Sequence, residues 1–231
     1  MEITSAPQPA RKVVTRSPKR NVGLVNCPWF QSQAIEHESR LEKHFVLRAM
    51  LSPAIKAIVH QPFERSLGGK ERYIPEYLLC FKKGQHAVVE VKRAERIKAL
   101  RERFDRIAAR LAEDGLTYFV VHQGQIEGAR RAERAALLRR YAMLHVDRQK
   151  LEAAVWLVHA KPEGVSIGSV MRRCQLSEQQ IFHAIARRLI VLGSKLLLSH
   201  ADLVFSPSQE ITNAPHQFGS WFGCAAWQPH P

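Results

Sequence analysis

The sequence predicts an α/β fold, a mixed sheet flanked by helices, with a smaller helix-rich domain behind it. Three observations predict it. Runs with strand character at 58–67, 73–81, 87–91 and 116–121 are set apart by turn residues. Two longer stretches, 95–113 and 126–144, carry apolar residues at helical spacing. The composition shifts near Asp147, and helical segments dominate beyond it. The order helix, three strands, helix, strand, helix makes the consecutive strands antiparallel. It makes the strand reached through the long helix a parallel neighbour.

The elements follow in order. Residues 1–30 hold Arg11, Lys12, Arg16, Lys19 and Arg20 among Pro, Ser and Thr, and read as an extended basic arm. A helix is expected over 32–50, with Ser32 as N-cap and Ile35, Leu41, Phe45, Leu47 and Met50 as its stripe. Pro53 ends it. The strand at 58–67 leads into Gly68-Gly69, a hairpin signal. Pro75 demands an edge or bulged position in the strand at 73–81. Residues 82–85 form a turn, and the unbroken apolar run at 87–91 reads as a buried strand. Ile97, Leu100, Phe104, Ile107, Ala108 and Leu111 line one face of the helix at 95–113, and Gly115 closes it. The first domain is expected over 31–146.

From 147 to 205 the chain reads helix (148–159), break (161–164), helix (167–174), tight turn, helix (177–192) and a strand pair around 195–205. Two helices joined by a tight turn and followed by a hairpin describe a winged helix-turn-helix. A plain helical interaction module and a protein-docking winged helix are the alternatives. Residues 206–231, with four prolines and the aromatics Trp221, Phe222 and Trp227, read as a tail outside any core, its aromatics docking on a partner or on the protein itself.

Charge narrows the partner. The 231 residues carry 35 Lys+Arg against 21 Asp+Glu, a net charge of +14, which points first to nucleic acid. No apolar run reaches the length of a membrane span, and no hydrophobic stretch follows the basic N-terminus as in a signal peptide. Cys27, Cys80, Cys174 and Cys224 lie far apart, without the spacing of a zinc ribbon or redox pair. Free thiols and a nucleic-acid partner suit a reducing cytoplasm.

The chemistry concentrates between Tyr73 and Lys92. Glu76 follows Pro75, and Glu90-Val91-Lys92 ends the buried strand. Glu76 and Glu90 lie on neighbouring strands, so their side chains can converge. Glu90 and Lys92 are two apart and share a face. Phosphodiester hydrolysis needs carboxylates to hold a divalent cation, and a positive charge to steady the attacking hydroxide or the developing charge. Glu76 and Glu90 supply the first, Lys92 the second, and the Val91 carbonyl could be a further ligand. A bland reading, an exposed strand end with a Glu/Lys ion pair, fits the triplet alone.

Four segments carry a resemblance. Ser39-Arg40-Leu41-Glu42, Gln61-Pro62-Phe63, Arg72-Tyr73-Ile74-Pro75-Glu76-Tyr77-Leu78 and Val88-Val89-Glu90-Val91-Lys92 look like the nuclease domain of the TnsA transposon endonucleases. Those enzymes belong to the restriction-endonuclease-like superfamily with its PD-(D/E)xK motif. The resemblance spans about 30–145, and the segments occur in the family's order. It implies a restriction-endonuclease-like mixed sheet and a Mg²⁺ (or Mn²⁺) site. Glu42 would be a helix-borne acid, Glu76 and Glu90 metal ligands, and Lys92 the catalytic lysine. Glu38, one turn before Glu42, is the alternative acid. Glu76 departs from the family, which usually has Asp there. The resemblance further implies double-stranded DNA at transposon ends as substrate and cleavage of the 5′, non-transferred strand. It implies a DDE transposase and an AAA+ ATPase regulator as partners, and a bacterial, nucleoid-associated setting.

The remaining candidates concern DNA contact. Arg93 and Arg96 open the basic run after Lys92 and are expected on phosphates, with Lys98, Arg101, Arg103 and Arg106 beyond them. A solvated face paired with Glu95, Glu102 and Asp105 is the alternative. Gln179, Gln180, His183, Arg187 and Arg188 are expected near the exposed side of a recognition helix, where Gln and Arg read base edges. His37, His44, His60, His86 and His122 flank the motifs and read as surface or structural side chains. Two rival functions stand beside the transposon nuclease: a stand-alone restriction or repair nuclease, and a non-catalytic DNA- or partner-binding adaptor.

Overall fold

Two antiparallel pairings and one parallel crossover build a mixed four-stranded sheet. The computed structural model describes residues 22–207 and 213–229. The basic residues of the expected arm, Arg11 to Arg20, lie outside the described residues. The chain forms two compact units. The first comprises 22–46, 54–126 and 213–229; the second comprises 47–53 and 127–207. The division thus falls near Glu127 rather than Asp147, and the C-terminal residues belong to the first unit.

In the first unit, β1 (Gly23–Val25) pairs antiparallel with β2 (Ile35–His37). The expected helix over 32–50 therefore gives way to a strand and a shorter helix, α1 (Arg40–Ala49). Ile35 and His37 are buried on either side of half-buried Glu36, a period of two that a partner strand 10 residues upstream makes a ladder. Ser39, not Ser32, caps α1: its hydroxyl accepts from the Glu42 N–H at 3.1 Å.

The central sheet has the order β3 (Ile55–His60), β6 (Tyr77–Phe81), β7 (His86–Lys92), β8 (Thr117–His122), with β4 (Arg65–Gly68) and β5 (Glu71–Tyr73) forming a hairpin of their own. β3–β6 and β6–β7 are antiparallel and β7–β8 is parallel, as the element order requires. The long strands expected over 58–67 and 73–81 each split. Pro62 and Pro75 lack the N–H a ladder needs, and each lies in its gap. Between β7 and β8 the helical stretch begins as a short turn of helix, α2 (Ala94–Ile97). It then tightens over Lys98–Leu100 and continues as α3 (Arg101–Glu113). Gly115 takes φ +71 just past its end.

Alternation along the strands divides the core. Val59, Leu78, Val88, Tyr118 and Val120 pack with Phe104, Ile107, Ala108 and Leu111 of α3. Tyr77, Phe81 and Phe119 meet Phe45 of α1 and an aromatic helix from the far end of the chain.

That helix overturns the expectation of a tail outside any core, and its aromatics dock on the protein itself, one of the two expected alternatives. After α4 (Gln123–Glu127), α5 (Arg131–Tyr141), α6 (Arg148–His159), α7 (Ile167–Cys174) and α8 (Glu178–Ala186), the chain ends in α9 (Ala214–Phe222). Phe218 stacks on Phe119 and Phe222, each at 4.9 Å between centroids, and is fully buried. Trp227 donates from Nε1 to Asp105 at 2.7 Å and packs edge-on against Phe104. The prolines mask a segment whose aromatics complete the core of the first unit. Phe218→Ala is expected to lower the stability of that unit by ~3–5 kcal/mol, read by denaturant unfolding.

In the second unit, β9 (Val165–Ser166), β10 (Val191–Leu192) and β11 (Leu203–Phe205) form a small antiparallel sheet in the order β10-β11-β9. α6 and α7 match the expected bounds. The helix expected over 126–144 is instead broken at Ala129 and Arg130, both at positive φ. α8 stops at Ala186, six residues early. Arg188 adopts φ 58, its N–H bonds Ile185 O, and Leu189 N–H bonds Ala184 O. That is a Schellman stop built without the usual glycine, so the sequence carries no sign of it.

Candidate functional site

Glu76 sits in the gap between β5 and β6, opposite the end of β7. β6 begins at Tyr77, which faces Val89 in the register, so Val91 and Lys92 extend past the ladder. Into that space Glu76 turns its carboxylate. Its Oε2 accepts from the Val91 N–H and its Oε1 from Lys92 Nζ. Lys92 Nζ also lies 2.7 Å from Glu90 Oε2. The other Glu90 oxygen accepts from the Tyr73 hydroxyl at 2.9 Å. One lysine thus bridges two carboxylates, as the spacing of the motif predicts.

The surroundings are dry. Glu90 is 4% exposed and Tyr73 equally so. Burial pushes the Glu76 carboxyl well up from its ordinary value, and the nearby Glu90 pushes it further, against the pull of Lys92. Burial works against the Lys92 charge, but Glu90 and Glu76 more than offset it and hold the ammonium above the ordinary lysine value. Tyr73 is raised by burial and by Glu90, so it stays a hydrogen-bond donor.

Glu42 approaches from α1, which packs on the Tyr77 side of the sheet through Phe45. Its field reaches both Glu76 and Lys92. Its oxygens, however, accept from the Glu38 N–H at 2.7 Å and the Ser39 hydroxyl at 2.8 Å, tying the carboxylate to the start of the helix. Burial raises its pKa. The alternative acid, Glu38, accepts from Gln61 Nε2 at 2.9 Å.

Among the described residues, no group of three or more His, Cys, Asp or Glu side chains is placed to hold a metal ion. The donors that do converge fit a divalent cation in kind. Glu76 and Glu90 offer hard oxygens. With Glu42 they set three carboxylates against the single ammonium of Lys92, a deficit of positive charge that a bound cation relieves. A strand residue's N–H and C=O face the same neighbour. Because the Val91 N–H reaches Glu76, its carbonyl is directed to that edge as well.

The motif reading does not reach Tyr73. Its hydroxyl fixes one Glu90 oxygen and leaves the other to face Lys92. Tyr73→Phe keeps the ring in the core and removes the hydroxyl that makes that bond. It is expected to weaken Mg²⁺ binding by ~10–100-fold, read by calorimetric titration.

The basic candidates separate. Arg93 and Arg96 are exposed just beyond Lys92 and make no ion pair with a described residue. Arg103 and Arg106 both hold Glu71, at 3.1 Å each, and Arg101 lies over the Trp227 ring at 4.9 Å. These three brace α3, and their partners are not the expected Glu95, Glu102 and Asp105.

The expected reading face of α8 requires correction. Residues 181–186 are all buried. His183 Nδ1 pairs with Tyr141 O at 3.0 Å, and Gln180 Oε1 is spent on the Ser177 N–H in a capping box. Arg188, half-buried, forms the helix stop. Only Gln179 and Arg187 are exposed among the five. The sequence places these residues at helical spacing, but the helix is buried on every side from Ile181 to Ala186, which leaves only its first turn exposed.

Among the described residues, no helix is long and apolar enough to cross a membrane. No family model matches the chain, and no curated protein matches it.

Proposed function

We propose that this protein is a metal-dependent DNA endonuclease that cuts the 5′, non-transferred strand at transposon ends, working with a DDE transposase and an AAA+ regulator. The observation that carries the hydrolytic reading is the convergence of Glu76, Glu90 and Lys92 where β7 runs past β6. The net charge of +14 supports nucleic acid as substrate. The four-segment resemblance supports the transposition setting and its partners.

In this reading Glu76 and Glu90, with the Val91 carbonyl, would hold a Mg²⁺ or Mn²⁺ ion. Such an ion, when bound, polarises the phosphate and makes water acidic enough to attack. Lys92 keeps its ammonium at the attacking oxygen and the charge developing on the phosphoryl oxygens. Tyr73 fixes Glu90. Glu42 adds negative field from α1. Arg93 and Arg96 take backbone phosphates beside the cut. The order α6–β9–α7–α8–β10–β11 is that of a winged helix, which supports a DNA- or partner-docking role for the second unit. With α8 buried, that role falls to exposed positions such as Gln179 and Arg187.

The test is nicking of supercoiled plasmid, with and without the transposase partner, in Mg²⁺, Mn²⁺ or EDTA. Nicking in either metal and none in EDTA is expected. One observation favours the adaptor reading: the Glu42 carboxylate is committed to its own helix. DNA binding with no nicking in either metal, even with the partner, would establish that reading instead.

A further inference from the structure

We propose that His122 is a catalytic residue of this site, donating from Nε2–H to an oxygen of the scissile phosphate. The inference deepens the nuclease reading and rests on it for the position of the substrate. His122 ends β8, and the parallel register sets it directly beside Lys92. Paired residues of adjacent strands turn their side chains to one face, and strands lie ~4.8 Å apart. His122 therefore stands on the same face as Lys92 and Glu90, one strand further along.

The two strand ends are fastened together. The Ala94 N–H donates to Gln123 Oε1 at 2.7 Å, linking the residues that follow Lys92 and His122. The His122 N–H donates to Gln125 Oε1 at 3.0 Å. The ring itself is set by a third bond, in which the Gly124 N–H donates to Nδ1 at 3.2 Å. A side chain at 124 would meet that ring at 3.1 Å, so glycine keeps the space the imidazole occupies. With Nδ1 accepting, neutral imidazole carries its proton on Nε2. The Nε2–H makes no bond to any described residue, and the side chain is only half-buried. A fixed donor with no partner, beside a lysine that faces two carboxylates, suits a phosphate oxygen. No proton is transferred; the bond strengthens as charge builds on that oxygen.

The experiment uses the full chain in two arms. In the first, long-range ¹H–¹⁵N spectra follow the imidazole nitrogens while a short DNA duplex is added in Ca²⁺. His122→Gln assigns the resonance by its loss. The free protein is expected to show the Nε2–H tautomer for His122, and the duplex is expected to shift it. In the second, Mg²⁺-dependent nicking compares wild type, His122→Ala, His122→Gln and Lys92→Ala. His122→Ala is expected to lose ~10²-fold in rate with duplex affinity changed by less than ~3-fold. His122→Gln, which keeps an N–H donor, is expected to recover most of the loss. An unmoved imidazole, or His122→Ala nicking like wild type while Lys92→Ala is dead, overturns the inference and leaves the nuclease reading standing. A shifted imidazole without nicking by wild type, even with the transposase partner, keeps the phosphate contact but overturns the nuclease and the catalytic role of His122 with it.

Discussion

Lys92→Ala is expected to abolish metal-dependent nicking, a loss on the order of 10²–10³-fold or more, while strengthening Mg²⁺ binding. Both effects come from one geometry. The Lys92 ammonium touches Glu76 and Glu90 together, and these two carboxylates hold it above its ordinary pKa. It therefore acts as a fixed cation and not as a base at neutral pH. Removing it takes away the charge that meets the attacking oxygen. It also leaves buried Glu90 and half-buried Glu76 facing each other, a strong demand for another cation. Without metal the variant is expected to lose ~3–5 kcal/mol of stability, the cost of unpairing a buried charge. Saturating Mg²⁺ should return much of it. Nicking assays, calorimetry and thermal unfolding with and without Mg²⁺ read the three quantities. Wild-type nicking by Lys92→Ala, or unaltered metal affinity, would show that the assigned site is not the reactive one.

The parts legible in the sequence are those set by local pattern. Glu90 and Lys92 two apart on an apolar run dictated one face of one strand, and Gly68-Gly69 dictated a hairpin. The parallel placement of β8 followed from the helix that precedes it. What stayed hidden was set by long-range pairing or by backbone choice. Ile35 and His37 form a strand only because Gly23–Val25 lies alongside. Arg188 ends α8 from a left-handed conformation that an arginine does not announce. Trp227 became core because Asp105 and Phe104 wait 122 and 123 residues earlier in the chain. Glu42 illustrates the limit at the site itself. Its place on α1 follows from the sequence, but Ser39 and the Glu38 N–H compete for its oxygens. No spacing rule shows which claim wins. Tyr73 was visible as a residue of the right chemistry three positions before Glu76, yet only folding brings its hydroxyl to Glu90.

Glu76→Gln is expected to stabilise the metal-free protein at neutral pH and to abolish nicking. Burial, then repulsion from Glu90, raises the Glu76 carboxyl well above its ordinary value. A group whose pKa is higher in the folded chain binds its proton more tightly there. The stability it lends is full below the unfolded pKa and is lost as pH rises through the folded one. Once pH exceeds the raised folded-state value, the wild type carries an ionised Glu76 at a cost. Glutamine never ionises, but its single carbonyl oxygen can accept from Lys92 or from the Val91 N–H and not from both, so the gain from losing the charge is set against one lost hydrogen bond. Exchange of a buried charge for a neutral isostere is expected to add on the order of 1 kcal/mol at pH 8 and much less at pH 4. It also removes a cation ligand, so the Mg²⁺-dependent rise in melting temperature should vanish with the activity. Thermal unfolding from pH 4 to 9, with and without Mg²⁺, tests this. A Gln variant that is less stable than wild type at pH 8, or that still gains from Mg²⁺, would remove Glu76 from the metal site. Glu76→Asp addresses the departure from the usual motif. The Glu76 carboxylate reaches both the Val91 N–H and Lys92 Nζ. Aspartate would fall short by about one C–C bond, ~1.5 Å. Its activity should therefore drop, because the site is built around the longer side chain.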